Sequence, residues 1–192
     1  MALLTLYHAG MRSDYASFNL FTHFATSVQP CINVAGRKYF SDRKWGDDWT
    51  PTLYTCEVEL DVESELEEWE DKGSPRIKAF ANQWRQRYRH DLEKYKEVSK
   101  KYFWDKEDEE LIDWLREETA RAGIRGYRYE NRVEDGVGIC LVDSSDIRIV
   151  KREPIAMQAV AKVFLGLAAH QVFLNEERYE QAKAEALGWL SA

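Results

Sequence analysis

The stretch from Gly123 to Val150, GIRGYRYENRVEDGVGICLVDSSDIRIV, reads as strand, acidic turn, strand. Tyr127 and Tyr129 alternate with Arg128 and Glu130, the period of a half-buried strand. Asp135-Gly136 and Gly138 supply turn chemistry, and Ile139-Cys140-Leu141-Val142 is an apolar run fit for the next strand. Two carboxylates, Glu130 and Glu134, thus stand at the connection between two core strands. A carboxylate there has a rigid base and an open front, which suits charge stabilisation in a site. It is also where an ordinary solvated glutamate sits.

Outward from this pair, Leu3 to Gly10 (LLTLYHAG) is an apolar strand ending in a histidine and small residues. Phe21 to Thr26 (FTHFAT) reads as a second short strand and Thr52 to Leu60 (TLYTCEVEL) as a third. Gly36 to Asp48 is polar, carries two glycines and is expected to form a loop or helix edge over the site, with Tyr39 and Phe40 as alternative covers for a pocket. The acidic run Val62 to Asp71 ends at a break, Lys72-Gly73-Ser74-Pro75. Beyond it Ile77, Phe80, Trp84, Tyr88, Tyr95, Val98 and Tyr102 recur mostly at spacings of three or four. They form an apolar stripe on one long helix, broken or continued near His90-Asp91, that packs on the sheet. Arg85, Arg87 and Arg89 beside it read as a solvated face. Asp105 to Glu118 continues helical, and Gly123 stands where a helix C-cap belongs.

Lys151-Arg152-Glu153-Pro154 is the expected border between a core domain, residues 1–152, and a helical appendage, residues 153–192. In that tail Val160, Val163, Phe164, Leu167 and Val172 form an apolar face that must bury against its own domain or against a second copy, so a homo-oligomer through these helices is one expectation. The fold class is α+β.

With 192 residues, 44% hydrophobic and 13% aromatic, the chain can bury a core and is not disordered as a whole. A net charge of −7 argues against a nucleic-acid partner held by a basic surface, while leaving a basic protein partner open. Cys31, Cys56 and Cys140 have no metal or CxxC spacing and fit buried, reduced thiols, which points to the cytoplasm. The apolar run Ile155 to Phe173 is interrupted by Gln158, Lys162, His170 and Gln171, so a membrane span is not expected. The histidines, His8, His23, His90 and His170, have no zinc-ligand spacing, and no metal is expected. Phosphate-cradling GxGxxG and GxxxxGK[ST] motifs are absent.

Three segments in order carry a resemblance. Tyr7-His8-Ala9-Gly10, Thr22-His23-Phe24-Ala25-Thr26 and the run Gly123 to Glu134, followed by Asp146-Ile147-Arg148-Ile149, resemble the ADP-ribosyltransferase superfamily, in particular its small phage and mobile-element members. Their pattern is Tyr-His-Gly-Thr, Thr-His-Phe-Gly-Thr, Gly-Tyr-Asp-Gly-x-x-Tyr-x-Asn-x-x-Glu and a closing Ile-Lys-Ile. The likeness covers the ends of the first 150 or so residues, not the middle. Ala9 and Ala25 replace glycines, Gly10 stands in place of Thr or Ser, and Ile124-Arg125 replaces Tyr-Asp.

The resemblance implies a split antiparallel sheet with packed helices, and transfer of ADP-ribose from NAD to a macromolecular acceptor, a protein rather than a nucleic acid, with release of nicotinamide. It also implies a phage-type effector or an inhibitor of host defence. Glu134 takes the role of essential acid, with Glu130 as the alternative. His8 would bind a ribose, the backbone of Ala9 the nicotinamide carboxamide, and Gly10 the dinucleotide beside it. His23, Phe24 and Thr26 would form a second wall, and Tyr129 and Asn131 would complete the site. NAD is the substrate implied. A close variant is an NAD glycohydrolase. The alternative from another class is a non-catalytic acidic binding protein on the same scaffold.

Overall fold

A computed structural model describes residues 1–18, 21–42, 48–69, 75–92 and 100–191. Among them the strands are β1 (Ala2–Gly10), β2 (Thr22–Ala25), β3 (Thr52–Leu60), β4 (Leu66–Glu68), β5 (Gly126–Asn131), β6 (Gly136–Leu141) and β7 (Arg148–Pro154). The helices are α1 (Val28–Asp42), α2 (Val62–Glu65), α3 (Pro75–Leu92), α4 (Lys100–Arg121), α5 (Met157–Leu165) and α6 (Glu176–Ser191). Alternation sets the strands: in β3 Tyr54, Cys56, Val58 and Leu60 are all buried, each apolar side chain of this size contributing about 1.5–3 kcal/mol.

The strands form one sheet in the order β4-β5-β6-β2-β1-β3-β7. The expected antiparallel pairing holds except at one edge, where β4 runs parallel to β5. Two halves are visible within the continuous sheet. β1 pairs with β3 along its whole length, from Ala2–Leu60 to Gly10–Thr52, and β7 continues that half with a bulge at Thr55/Cys56. β4, β5, β6 and β2 form the other half. A single registered pair, Tyr7 with Ala25, joins β1 to β2.

Helices α3 and α4 pack on the sheet through Ile77, Leu115, Ile124 and Val142, with Trp114 Nε1 donating to the Phe80 carbonyl at 3.1 Å. The stripe expected on one helix is therefore divided between two. Tyr95 and Val98, the side chains of Tyr88 and Tyr102, and Lys72-Gly73-Ser74 lie outside the described residues. Arg87 is exposed, as expected of that face, and its guanidinium also lies 4.6 Å from the Trp114 ring centre, while the side chains of Arg85 and Arg89 lie outside the described residues. Gly123, with φ +69°, closes α4: its N–H bonds Ala120 and that of Ile124 bonds Thr119, the paired bonds of a helix ending in a left-handed residue.

The largest departure lies over Gly36 to Asp48, expected as a loop or helix edge and in fact the second half of a helix as far as Asp42. Residues 28–42 are helix α1, while 43–47 lie outside the described residues. Cys31, Ala35 and Tyr39, with Gly36 and Phe40 beside them, recur every four residues and are buried, and Pro30 is tolerated because it falls in the first turn. Tyr39 and Phe40 are not among the residues that line the cleft described below. They join a core with Val160, Ala161, Phe164, Val172 and Ala186 of the tail. The tail's apolar face is thus buried on α1 of the same chain, and β7 runs through Pro154, across the expected 152/153 border. Asn175 starts α6, its Oδ1 accepting the Arg178 N–H at 2.9 Å. No described helix is long and apolar enough to cross a membrane.

The α1–α5 contact depends on Gly36, where a Cβ would stand 2.4 Å from Val163 Cβ and 3.0 Å from the Val160 carbonyl. Gly36→Ala should destabilise by about 1–3 kcal/mol, less the ~1 kcal/mol that alanine gains in a helix. Gly188 in α6 meets nothing within 4 Å, so Gly188→Ala should stabilise by about 0.5–1 kcal/mol. Denaturant midpoints of the two variants moving in the same direction would contradict this packing.

Candidate functional site

The two halves of the sheet part beside the Tyr7–Ala25 pair, and a cleft of about 420 Å³ opens there under α1. His8 spans the seam: its Nδ1 lies 2.9 Å from the carbonyl of His23 on β2. A carbonyl only accepts, so Nδ1 carries the proton and Nε2 of the neutral ring remains an acceptor. Burial lowers the His8 pKa below its usual 6.5, and the charge of Lys38 adds to this, against the raising effect of the His23 carbonyl. The ring packs among Phe18, Phe24 and Tyr54 at centroid distances of 4.9, 5.7 and 6.3 Å.

Glu134 reaches the same cleft from the β5–β6 turn, and only 5% of it is exposed. Its placement gives Asn131-x-x-Glu134 a physical meaning. Asn131 Oδ1 accepts the Glu134 N–H at 3.1 Å, while Asn33 of α1 donates to the Glu134 carbonyl at 2.8 Å. The backbone is held from both sides before the side chain makes any contact. Asp135, at φ +58°, then turns the chain into β6, a conformation that aspartate tolerates better than most residues. The Glu134 carboxylate pairs with Arg37 of α1.

Alternation turns Glu130 away from the cleft, and the turn after β5 brings Glu134 into it. Tyr129 and Asn131 line it together with Glu134, whereas Glu130 between them is exposed and pairs with Arg132 at 3.0 Å. His23 stands at the rim, Nδ1 2.9 Å from the Tyr129 hydroxyl, its pKa lowered by desolvation and then by Lys38. Burial raises the Tyr129 hydroxyl to about 12, so it keeps its proton at neutral pH. Phe24 lines the cleft yet is 2% exposed, serving as core and wall at once.

The structure thus brings His8, Ala9, His23, Phe24, Tyr129, Asn131 and Glu134 to one cleft. Gly10, Thr26 and Glu130 are not among the lining residues. Gly10 is buried where a Cβ would stand 2.7 Å from the Tyr15 ring and 2.9 Å from that of Tyr54. Thr26 bonds the Val137 carbonyl through both its N–H and its hydroxyl, at 3.1 and 3.3 Å.

Arg37 and Lys38 line the cleft and escaped the reading of the sequence because α1 did. Their signal was the polar stripe Gln29, Asn33, Arg37, spaced by four, in which Gln29 donates to Asn33 at 2.9 Å and the other two reach Glu134. Among the described residues no group of His, Cys, Asp and Glu could hold a metal ion. Cys31, on the cleft wall, has its thiol pushed up to about 12 by burial, which makes it a poor nucleophile.

Because the folded pKa of His8 is depressed, the unfolded chain binds more protons just below pH 6.5. The stability that neutral His8 confers is complete above that value and is lost as pH falls through the folded pKa. Between about pH 7.5 and about pH 5.5 the melting temperature of the wild type should fall further than that of His8→Gln. Parallel curves would show that His8 is not held neutral. Comparison with protein-family models, curated proteins and solved structures finds no match for this chain.

Proposed function

We propose that this chain is an NAD-dependent ADP-ribosyltransferase that moves ADP-ribose from NAD to a macromolecular acceptor, a protein, and releases nicotinamide. The observation that supports this reading best is the meeting of His8 and Glu134, far apart in sequence, in one cleft with Phe24 and Tyr129.

In the reaction the C1′–N bond of the nicotinamide ribose breaks and its electron pair stays on the nicotinamide nitrogen, giving a neutral pyridine. The leaving group needs no general acid, unlike an ordinary sugar oxygen. The charge to be stabilised is the oxocarbenium-like ribose, and the Glu134 carboxylate would face it. The acceptor nucleophile then bonds to C1′ and gives up its proton. With water as acceptor the same steps describe an NAD glycohydrolase. Neutral His8 would accept a ribose hydroxyl at Nε2. Ala9 lies past the Tyr7–Ala25 pair, on the stretch of β1 without a registered partner in β2, where its backbone could meet the nicotinamide carboxamide.

One observation favours the non-catalytic alternative, a binding protein on the same scaffold. Arg37 neutralises the carboxylate on which the chemistry would depend. Incubation with labelled NAD and lysate separates the two, since only a transferase labels a macromolecule and only an NAD-cleaving protein frees nicotinamide.

Glu134→Gln should lower the rate of nicotinamide release about a hundredfold or more, the usual loss when a preorganised electrostatic group is removed. It should also lower the melting temperature, because Arg37 loses the partner of a largely buried ion pair. Glu130→Gln should leave both unchanged. Activity retained in Glu134→Gln and lost in Glu130→Gln would assign the acid to the wrong residue.

A further inference from the structure

Arg37 is held in an unfinished arrangement. One terminal nitrogen pairs with Glu134, while Nε is buried with no hydrogen-bond partner among the described residues. A guanidinium is at its best with a planar or tetrahedral oxyanion that takes two of its N–H groups together. Lys38, next in the chain, lines the same cleft and is near enough to raise the cost of protonating both His8 and His23. Among the described residues the lining thus holds two basic side chains, Arg37 and Lys38, against one carboxylate, Glu134. In a chain of net charge −7 this is a local reversal of sign.

We infer that Arg37 and Lys38 form a seat for the diphosphate of an organic ligand, and that filling the seat draws Arg37 away from Glu134. The identity of the ligand as a dinucleotide rests on the function proposed above; the anion seat does not. Arg37 is then a positioning residue. Without ligand it keeps a nearly buried carboxylate from standing alone, which would be costly. With ligand it moves to the diphosphate, whose oxygens can also reach Nε, and leaves the Glu134 charge free beside the ribose. One ion pair is exchanged for another, so the rearrangement needs only the difference between them. Diphosphate and Glu134 compete for one guanidinium.

The competition makes a prediction that a merely structural Arg37 does not. Calorimetric titration would use inorganic pyrophosphate, orthophosphate, ADP-ribose and adenosine, at two salt concentrations, on the full chain. Wild type should bind pyrophosphate and ADP-ribose, orthophosphate more weakly and adenosine least, with an affinity for pyrophosphate that falls as salt rises. Arg37→Gln should weaken pyrophosphate binding about tenfold or more, Arg37→Lys should recover part of it, and the exposed Lys38→Gln should weaken it less. Glu134→Gln should bind pyrophosphate several-fold more tightly than wild type, since it removes the competitor. Melting curves identify any variant that does not fold, and Lys38→Gln tests the seat without touching the ion pair. Wild type that ignores pyrophosphate, Lys38→Gln that binds it unchanged, or a folded Glu134→Gln that binds it no better would overturn the inference. Pyrophosphate binding as described in a protein that never releases nicotinamide from NAD would refute the proposed activity and leave the seat standing.

Discussion

One backbone pair, Tyr7 with Ala25, holds the two halves of the sheet together at its centre. Most of the structure follows from its being alone. β2 is only four residues long, entered from Phe21 at φ +55° and left after Thr26, so it cannot follow β1 further. The halves separate, and the space between them becomes the cleft. An open seam leaves backbone groups in need of partners, since a buried one without a bond costs as much as the bond is worth. His8 meets part of that need from its side chain by donating to the His23 carbonyl. A histidine at this place is therefore explained by the seam before any ligand is considered. That is why its presence in the sequence does not by itself argue for chemistry.

The same reasoning applies to Glu134. Asn131 and Asn33 fix its backbone, and Arg37 takes its charge. A buried carboxylate without a partner would be expensive, so a protein that needs one there must give it a removable partner or accept a loss of stability. Arg37 is 29% exposed at its side chain and Glu134 only 7%, so the cation is the partner nearer to solvent and the one with room to move. Its side chain is also the longer and more flexible of the two. The asymmetry of the pair thus suits a fixed acid and a mobile base.

What was legible in the sequence is what has a short period or a short span. Alternation in Tyr127 to Glu130 could be read directly, and β3 could be bounded at Thr52 and Leu60 from TLYTCEVEL alone, whereas the choice of Glu134 over Glu130 came from the resemblance. Gly123 marked the end of α4 because only a local rule is involved. Helix α1 was hidden because its buried face uses Cys31, Ala35, Gly36 and Tyr39, small or amphipathic residues that carry little hydrophobic signal. Its size complement lies far along the chain, in Val160, Val163 and Phe164. Arg37 was illegible for a related reason. A basic residue in a polar stretch reads as solvated unless its carboxylate is known, and that carboxylate lies beyond three described helices and three described strands of sequence.

Helix α1 joins these two facts. One face carries Ala35, Tyr39 and Phe40 into the core shared with α5 and α6, while another carries Asn33, Arg37 and Lys38 to the cleft. A helix is stiff over four turns, so the position of Arg37 relative to Glu134 is set by how closely the opposite face seats on the tail. The tightest point of that seat is Gly36, adjacent in sequence to Arg37, with Val163 against it. The described residues after Pro154 contribute no side chain to the cleft lining, yet they hold the wall from which Arg37 and Lys38 project. A change of one methyl group between α1 and α5 would be felt at the carboxylate on the other side of the helix.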